Sequence, residues 1–309
     1  MSDSTPTAPA PPASDNGTKP ASPSAPRSDI WTIGELLKWT QQRFASAGIA
    51  EPRLDAERLL AHALACTRIT LYTEHDRPVD DAARARFREL VRRRLAREPV
   101  AYIEGRRGFH ALGLELEVDA RVLVPRPETE HLVDWMLEDL KAIDAGSVLD
   151  VGTGSGAIAL AMKHARPELE VVAIDVSADA LAVATANAQR LGLAITTLCS
   201  DLLAELPSGA FAAIAANLPY IPTAELAELE PEVSRHEPAL ALDGGPDGLR
   251  VIERLLAQLG DRLAEGGAIY LEIGAGQAAA VLALLEAAAL RGEVRSDYAG
   301  VARVVRGRR

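Results

Sequence analysis

Residues 147–160 read SVLDVGTGSGAIAL. The first five, Ser147 to Val151, are a short aliphatic run of strand length, and the last five open a helical pattern that continues to Ala165. Between them lie Gly152, Gly154 and Gly156, alternating with Thr153 and Ser155. Such a loop lets the backbone turn sharply and lets a ligand approach it closely. The helix that follows presents unpaired N–H groups at its start. A strand, a glycine loop and a helix in this order predict the first unit of an open α/β sheet with a nucleotide-like ligand at its edge.

The pattern repeats outward from this stretch. EVVAID, AITTLCSD, FAAIAAN and AIYLEIG are further strand-like runs, and ADALAVATANAQRLG between the second and third is helical. Alternation of this kind means βαβ units and a parallel sheet covered on both faces. Right-handed crossovers bring the C-terminal ends of the strands to one edge, where ligands bind. The expected α/β domain runs over residues 128–309.

Upstream the character changes. Residues 1–28 hold seven of the 19 prolines, with Ser, Ala and Thr between them, and are expected to be a disordered leader. Residues 29–98 carry helical periodicity in IGELLKWTQQRFASAG, PRLDAERLLAHALAC and DDAARARFRELVRRRLARE, predicting a small domain of three or four helices. Residues 99–127 alternate with period two at Leu112, Leu114, Leu116 and Val118, then turn through EVDAR to Val122 and Val124. That predicts a β-hairpin linking the two domains.

Composition excludes several classes. An apolar content of 48% and a charged content of 25% suit a globular chain. No apolar run approaches the roughly 20 residues of a membrane span, and the N-terminus has no stretch suited to a secretory signal. The two cysteines, Cys66 and Cys199, lie far apart, so a disulfide framework is not expected and a cytoplasmic setting is. No Cys or His spacing suggests a metal site. A net charge of −11 argues against avid nucleic-acid binding. One basic cluster stands out: Arg84, Arg86, Arg88, Arg92, Arg93, Arg94 and Arg97, followed by Arg106 and Arg107. It reads either as the solvated side of an amphipathic helix, given the apolar stripe Phe87, Leu90, Val91 and Leu95, or as a docking surface for an acidic partner.

The ligand is argued from what ends each strand. GTGSGA also fits a dinucleotide loop. Three features favour S-adenosylmethionine instead: Asp150 preceding the loop would repel a pyrophosphate, a second carboxylate (Asp201) ends the third strand, and Asn217-Leu218-Pro219-Tyr220 ends the fourth. Asp175, ending the second strand, can accept both hydroxyls of a ribose, and Asp201 can reach an adenine amino group. The tetrapeptide holds no acid or base. A planar amino group, such as an amide or a base amine, has a delocalised lone pair and attacks poorly. It needs two acceptors that grip its N–H bonds and aim it at the methyl carbon. Asn217 supplies one acceptor and the Leu218 carbonyl the other. Pro219 holds Leu218 extended, and Tyr220 can stack on the flat group.

With these residues in hand, the chain resembles the bacterial protein-(glutamine-N5) methyltransferases that modify class I peptide chain release factors. The resemblance covers about residues 30–305 and is carried by PVAYIEGRRGFHALGLELEVDARVLVPRPETEHLVD, DVGTGSGAIAL, NLPYI, EPALALDGGPDGL and LEIGAGQ. It implies a Rossmann-like, class I S-adenosylmethionine-dependent methyltransferase sheet, its last strand antiparallel, behind a helical substrate-docking domain. By resemblance, Gly152 to Gly156, with Thr153 and Ser155, contact the methionine part of the cofactor. Asp175 holds the ribose, and Leu202 beside Asp201 flanks the adenine. Asn217 to Tyr220 grip the target glutamine, with Asn217 also facing the cofactor. Arg126, Glu128 and Glu130 close over it. The implied activity is methyl transfer to the glutamine of a release factor's Gly-Gly-Gln motif. The family usually has Asn-Pro-Pro-Tyr, whereas this chain has Leu218, as in adenine N6-dimethyltransferases of rRNA. Those enzymes place their helical domain after the sheet and are usually basic. The competing readings are glutamine methylation of a ribosomal protein, N6-adenine methylation of nucleic acid, and a non-catalytic adaptor.

Overall fold

The computed structural model describes residues 31–143 and 145–309, so the expected leader at 1–28 lies outside the described residues. The N-terminal part is helical: α1 (Ile33–Ser46), α2 (Pro52–Leu64), α3 (Arg68–Thr73), α4 (Asp81–Leu95) and α5 (Val100–Glu104). Their starts follow from local chemistry. Thr32 and Glu35 form a reciprocal capping box on α1, Pro52 opens α2, and the Asp80 carboxylate caps α4 through the Ala83 N–H. Ile33, Phe44, Leu59, Leu60, Leu71 and Phe87 meet in one core, which Val100 and Ile103 of α5 join. The helical unit therefore runs past residue 98, where the periodicity suggested it stops.

The hairpin lies earlier than its sequence pattern suggested. β1 (Arg106–Phe109) pairs antiparallel with β2 (Leu114–Glu117), and the turn falls between them. Val122 and Val124 form no strand. They pack with Ala101, Tyr102, Val118, Ala180 and Val183 in a small cluster between the helical unit and the sheet.

Next come α6 (Glu128–Asp139), β3 (Ser147–Val151), α7 (Ala157–Ala165), β4 (Glu170–Asp175), α8 (Ala178–Leu191), β5 (Thr196–Cys199), β6 (Phe211–Ala216), α9 (Pro231–His236), α10 (Arg250–Gln258), β7 (Leu263–Glu272), α11 (Ala278–Ala287), β8 (Arg291–Ser296) and β9 (Ala302–Arg308). Seven strands form one sheet in the order β8-β9-β7-β6-β3-β4-β5. β7, β6, β3, β4 and β5 are parallel neighbours, while β9 inserts antiparallel between β7 and β8. The expected α/β sheet with an antiparallel last strand is therefore present.

Neighbouring residues on each strand feed opposite faces. Val148, Ala213, Ala215 and Tyr270 join α6 and α7 on one face, and Leu149, Ile214, Ile269 and Leu271 join α10 and α11 on the other. Small residues decide the first packing: Ala159 and Ala161 of α7 share a cluster with Ala213 and Ala215 of β6. β8 and β9 escape a reading by hydrophobicity because they are rich in arginine. Arg295 and Arg306 lie over the Trp135 ring of α6, 4.5 and 4.7 Å from its centroid, so charged side chains do the covering.

Candidate active site

The C-terminal ends of β3, β4, β5 and β6 open into one cleft of about 430 Å³. Gly152, Thr153, Gly154, Ser155, Asp175, Asp201, Leu202, Asn217, Leu218 and Pro219 all line it. Tyr220 and Gly156 are not among its lining residues.

The glycine loop is held from below. Gly152 N–H and Thr153 N–H both donate to the Ile174 carbonyl at 2.9 Å, hooking the loop over β4. α7 has no side-chain cap at its start. Asp150 takes that part instead: its Oδ2 accepts from Thr153 Oγ1 at 2.6 Å and from the Ala159 N–H at 3.1 Å. Burial pushes its carboxyl up to about 6. Asp150 thus braces the loop from inside. Asn187 of α8, fully buried, adds a second brace that the sequence did not reveal. It exchanges hydrogen bonds with the Glu117 backbone (2.7 and 3.0 Å) and donates to the Ser155 carbonyl at 3.0 Å, joining hairpin, helix and loop.

Asp175 accepts the Gly154 N–H on Oδ2 (3.0 Å) and the Ser177 N–H on Oδ1 (2.9 Å). Ser177, rather than Asp175, caps α8. Burial pushes the Asp175 carboxyl upward. Asp201 lies beyond the end of β5, half exposed, and Arg254 of α10 holds its carboxylate at 2.7 Å. Leu202 beside it is buried and takes a positive φ of 56°. Val176 and Leu240, both largely exposed, form the lips of the cleft.

The tetrapeptide is pinned on every side. Asn217 Nδ2 donates to Thr129 Oγ1 at 3.0 Å, which leaves Oδ1 as the acceptor still to be used. Leu218 is 5% exposed and belongs to the core on the α10 side of the sheet. It comes so near Gly152 that a Cβ there would stand 3.1 Å from its Cδ2, so this close approach needs glycine. Its side chain therefore packs inward, into that core. The following residues, Ile221 and Pro222, form a short ladder with Asp243–Gly245. Gln277 Nε2 donates to the Tyr220 carbonyl at 2.9 Å, and its Oε1 accepts the Gly274 N–H at 2.8 Å. Tyr220 Oη donates to Glu272 Oε1 at 3.3 Å, in a pocket whose burial pushes Glu272 up to about 7.

The PRPETE segment corrects one expectation. Arg126 lines the cleft and pairs with buried Glu237 at 2.6 Å. Glu130 instead turns to the hairpin, accepting the His110 N–H, and neither it nor Glu128 is among the cleft-lining residues. The residue between them, Thr129, is the one that reaches the site. The physical reason is helical: α6 begins at Glu128, so successive side chains leave it about 100° apart and only one points at Asn217.

The arginine cluster is also largely spoken for. Arg94 is buried between Asp55 and Glu232, each 2.7 Å away, and Arg97 bonds Glu232 at 2.8 Å. Arg93 pairs with Glu98 and Arg92 with Glu89. Among the described residues no group of His, Cys, Asp and Glu could hold a metal, and no helix is long and apolar enough to cross a membrane.

A glycine loop after the first strand, a carboxylate after the second, an apolar slot at Leu202 and Val176, and this strand order define a class I S-adenosylmethionine-dependent methyltransferase. The slot suits a flat base, the buried acid suits a diol, and the loop suits a zwitterionic tail, so the residues present fit that cofactor. The chain belongs to the release factor glutamine methyltransferase family. Residues 35–105 match the family model "PrmC N-terminal domain", and residues 130–229 match "Methyltransferase small domain". The release factor glutamine methyltransferase of Rhodopirellula baltica is 43% identical over 250 residues, covering 79% of this chain and 84% of its own. That of Geobacter sulfurreducens is 40% identical over 281 residues, covering 91% and 98%. That of Deinococcus radiodurans is 42% identical over 277 residues, covering 90% and 98%.

Proposed function

We propose that the chain transfers a methyl group from S-adenosylmethionine to the side-chain amide nitrogen of the glutamine in the Gly-Gly-Gln motif of class I peptide chain release factors. The observation that carries this reading is the tetrapeptide on the cleft wall, with Asn217 Oδ1 uncommitted and no acid or base within it. When bound, the cofactor supplies an electrophilic methyl on a sulfonium. The residues of the chain hold it and aim the nucleophile. The loop from Gly152 to Gly156, with Thr153 and Ser155, takes the methionine part, Asp175 the ribose, and Leu202 beside Asp201 the adenine. Asn217 Oδ1 and the Leu218 carbonyl each accept one N–H of the target amide, and Tyr220, its hydroxyl on Glu272, backs the tetrapeptide. Transfer of that methyl, with the C–S electrons kept by the departing thioether, would make the nitrogen proton acidic and free to pass to solvent, so the residues here would need to supply aim and no strong base.

The helical unit is the element we assign to release-factor docking, the hairpin its link, and the domain from residue 128 the catalyst. A cytoplasmic setting follows from that substrate. The adenine reading rested on Leu218, whose side chain is largely buried in the core on the α10 side of the sheet. Labelled S-adenosylmethionine with purified release factor tests the function. Label on the Gly-Gly-Gln glutamine, located by mass spectrometry, is the expected result. Asn217→Ala should lower kcat by on the order of 100-fold while cofactor affinity changes little. Label found only in RNA or in another protein would overturn the reading.

A further inference from the structure

Behind the tetrapeptide lies a buried acid to which this chemistry assigns no part. Glu272, the last residue of β7, is 1% exposed. Its Oε1 accepts from the Tyr220 hydroxyl, and its Oε2 has no hydrogen-bond partner. Thr129, 4% exposed, is the buried partner of the acceptor residue. Its Oγ1 accepts from Asn217 Nδ2 at 3.0 Å, and its side chain is among the groups that favour the charged Glu272 carboxylate.

The two ends of an asparagine amide have nearly the same shape but opposite chemistry. Which end meets the substrate depends on what holds the other. A threonine hydroxyl has a single proton to give. A carboxylate can only accept, so it draws that proton, and the oxygen of Thr129 is then left to accept from Asn217. Asn217 must turn its NH2 group to Thr129 and its oxygen outward. A hydrogen-bond donor in place of the carboxylate would reverse the order and present the wrong end.

Building on the methyl-transfer reading above, we propose that Glu272 is a positioning residue: through Thr129 it fixes the Asn217 amide with its oxygen toward the target nitrogen. The groups that face Glu272 are Thr129 and Glu128 of α6, Tyr220 after β6, and Arg303 of β9. Arg303 and the two hydroxyls favour its charge, while Glu128 and above all burial oppose it, which brings its titration to about 7. The charged form is the ordering one, so kcat should rise with pH through about 7.

The test compares Glu272→Gln, Thr129→Val, Thr129→Ser and the Gln–Val double variant, in the full chain with release factor. Expected is a kcat loss on the order of 100-fold for Glu272→Gln and for Thr129→Val, with cofactor Kd close to the parent's and no fall in Tm. The double variant should be no worse than either single one, because both break one chain of contacts. Thr129→Ser should restore kcat to within about threefold of the parent, and the rise of kcat near pH 7 should vanish in Glu272→Gln. A Glu272→Gln kcat within about twofold of the parent's would overturn the proposal. So would additive losses, or a loss that follows cofactor affinity or Tm. A parent chain that fails to methylate release factor would overturn the underlying reading instead, which separates the two failures.

Discussion

Gly248 touches the Tyr220 carbonyl oxygen so closely that a Cβ has no room, and its φ of 77° strains any other residue. Gly244 does the same beneath it: a Cβ there would lie 2.8 Å from the Pro219 carbonyl oxygen. The DGGPDG segment is therefore a backplate against which the tetrapeptide backbone is pressed. Gly248→Ala is expected to cost more than about 2 kcal/mol of stability and most of the methylation; thermal unfolding beside the labelled-methyl assay checks both. The strand-end residues that line the cleft were legible in the sequence, because glycines and carboxylates at strand ends have few other uses. Thr129, Asn187 and Glu272 were not, since each matters through a partner between 32 and 143 residues away along the chain.

Among the elements, α9 has the most consequence for its length. Its Glu232 reaches Arg94 and Arg97 at the end of α4, His236 bonds the Ala96 carbonyl at 3.2 Å, and the next residue, Glu237, holds Arg126 and the Val124 N–H. One short helix thus ties the helical unit to the chain that leaves the tetrapeptide. Arg94 keeps Asp55 as a partner at 2.7 Å, so Glu232→Gln should cost only about 1–2 kcal/mol. Faster hydrogen exchange should then appear at the end of α4 and across residues 221–245. Unchanged exchange there would argue against a tether. From the sequence the arginines looked like one solvated or docking face, because a one-dimensional pattern cannot show that Glu232 lies opposite. The five parallel strands were legible from their aliphatic runs. β8 and β9 were not, because their cover is arginine over Trp135.

At the scale of the molecule, two buried carboxylates set a pH dependence of stability. Burial raises Glu272 to about 7 and Asp150 to about 6, above their ordinary values of 4.5 and 3.8. A raised folded-state pKa means that the native state holds its proton more tightly. The stability this confers is complete below the unfolded value and is lost as pH rises through the folded one. The parent should therefore unfold more easily at pH 8 than at pH 5. Glu272→Gln should remove roughly 2–3 kcal/mol of that difference, which denaturant titrations at the two pH values would measure. The same carboxylate that orders the site costs the fold stability at the pH where it works. Fold class and cofactor followed from local strand–loop–helix units. The acceptor side did not, because it is assembled from α6, the tetrapeptide, the DGGPDG segment and the end of β7, which meet only when the chain has closed.

Leu218 lines the cleft and packs its side chain against Gly152 in the core beneath. As a letter in a motif it therefore records the shape of the space beneath the sheet, not the molecule being methylated. Sorting chains of this kind by that letter would group them by interior packing and scatter those that share a substrate.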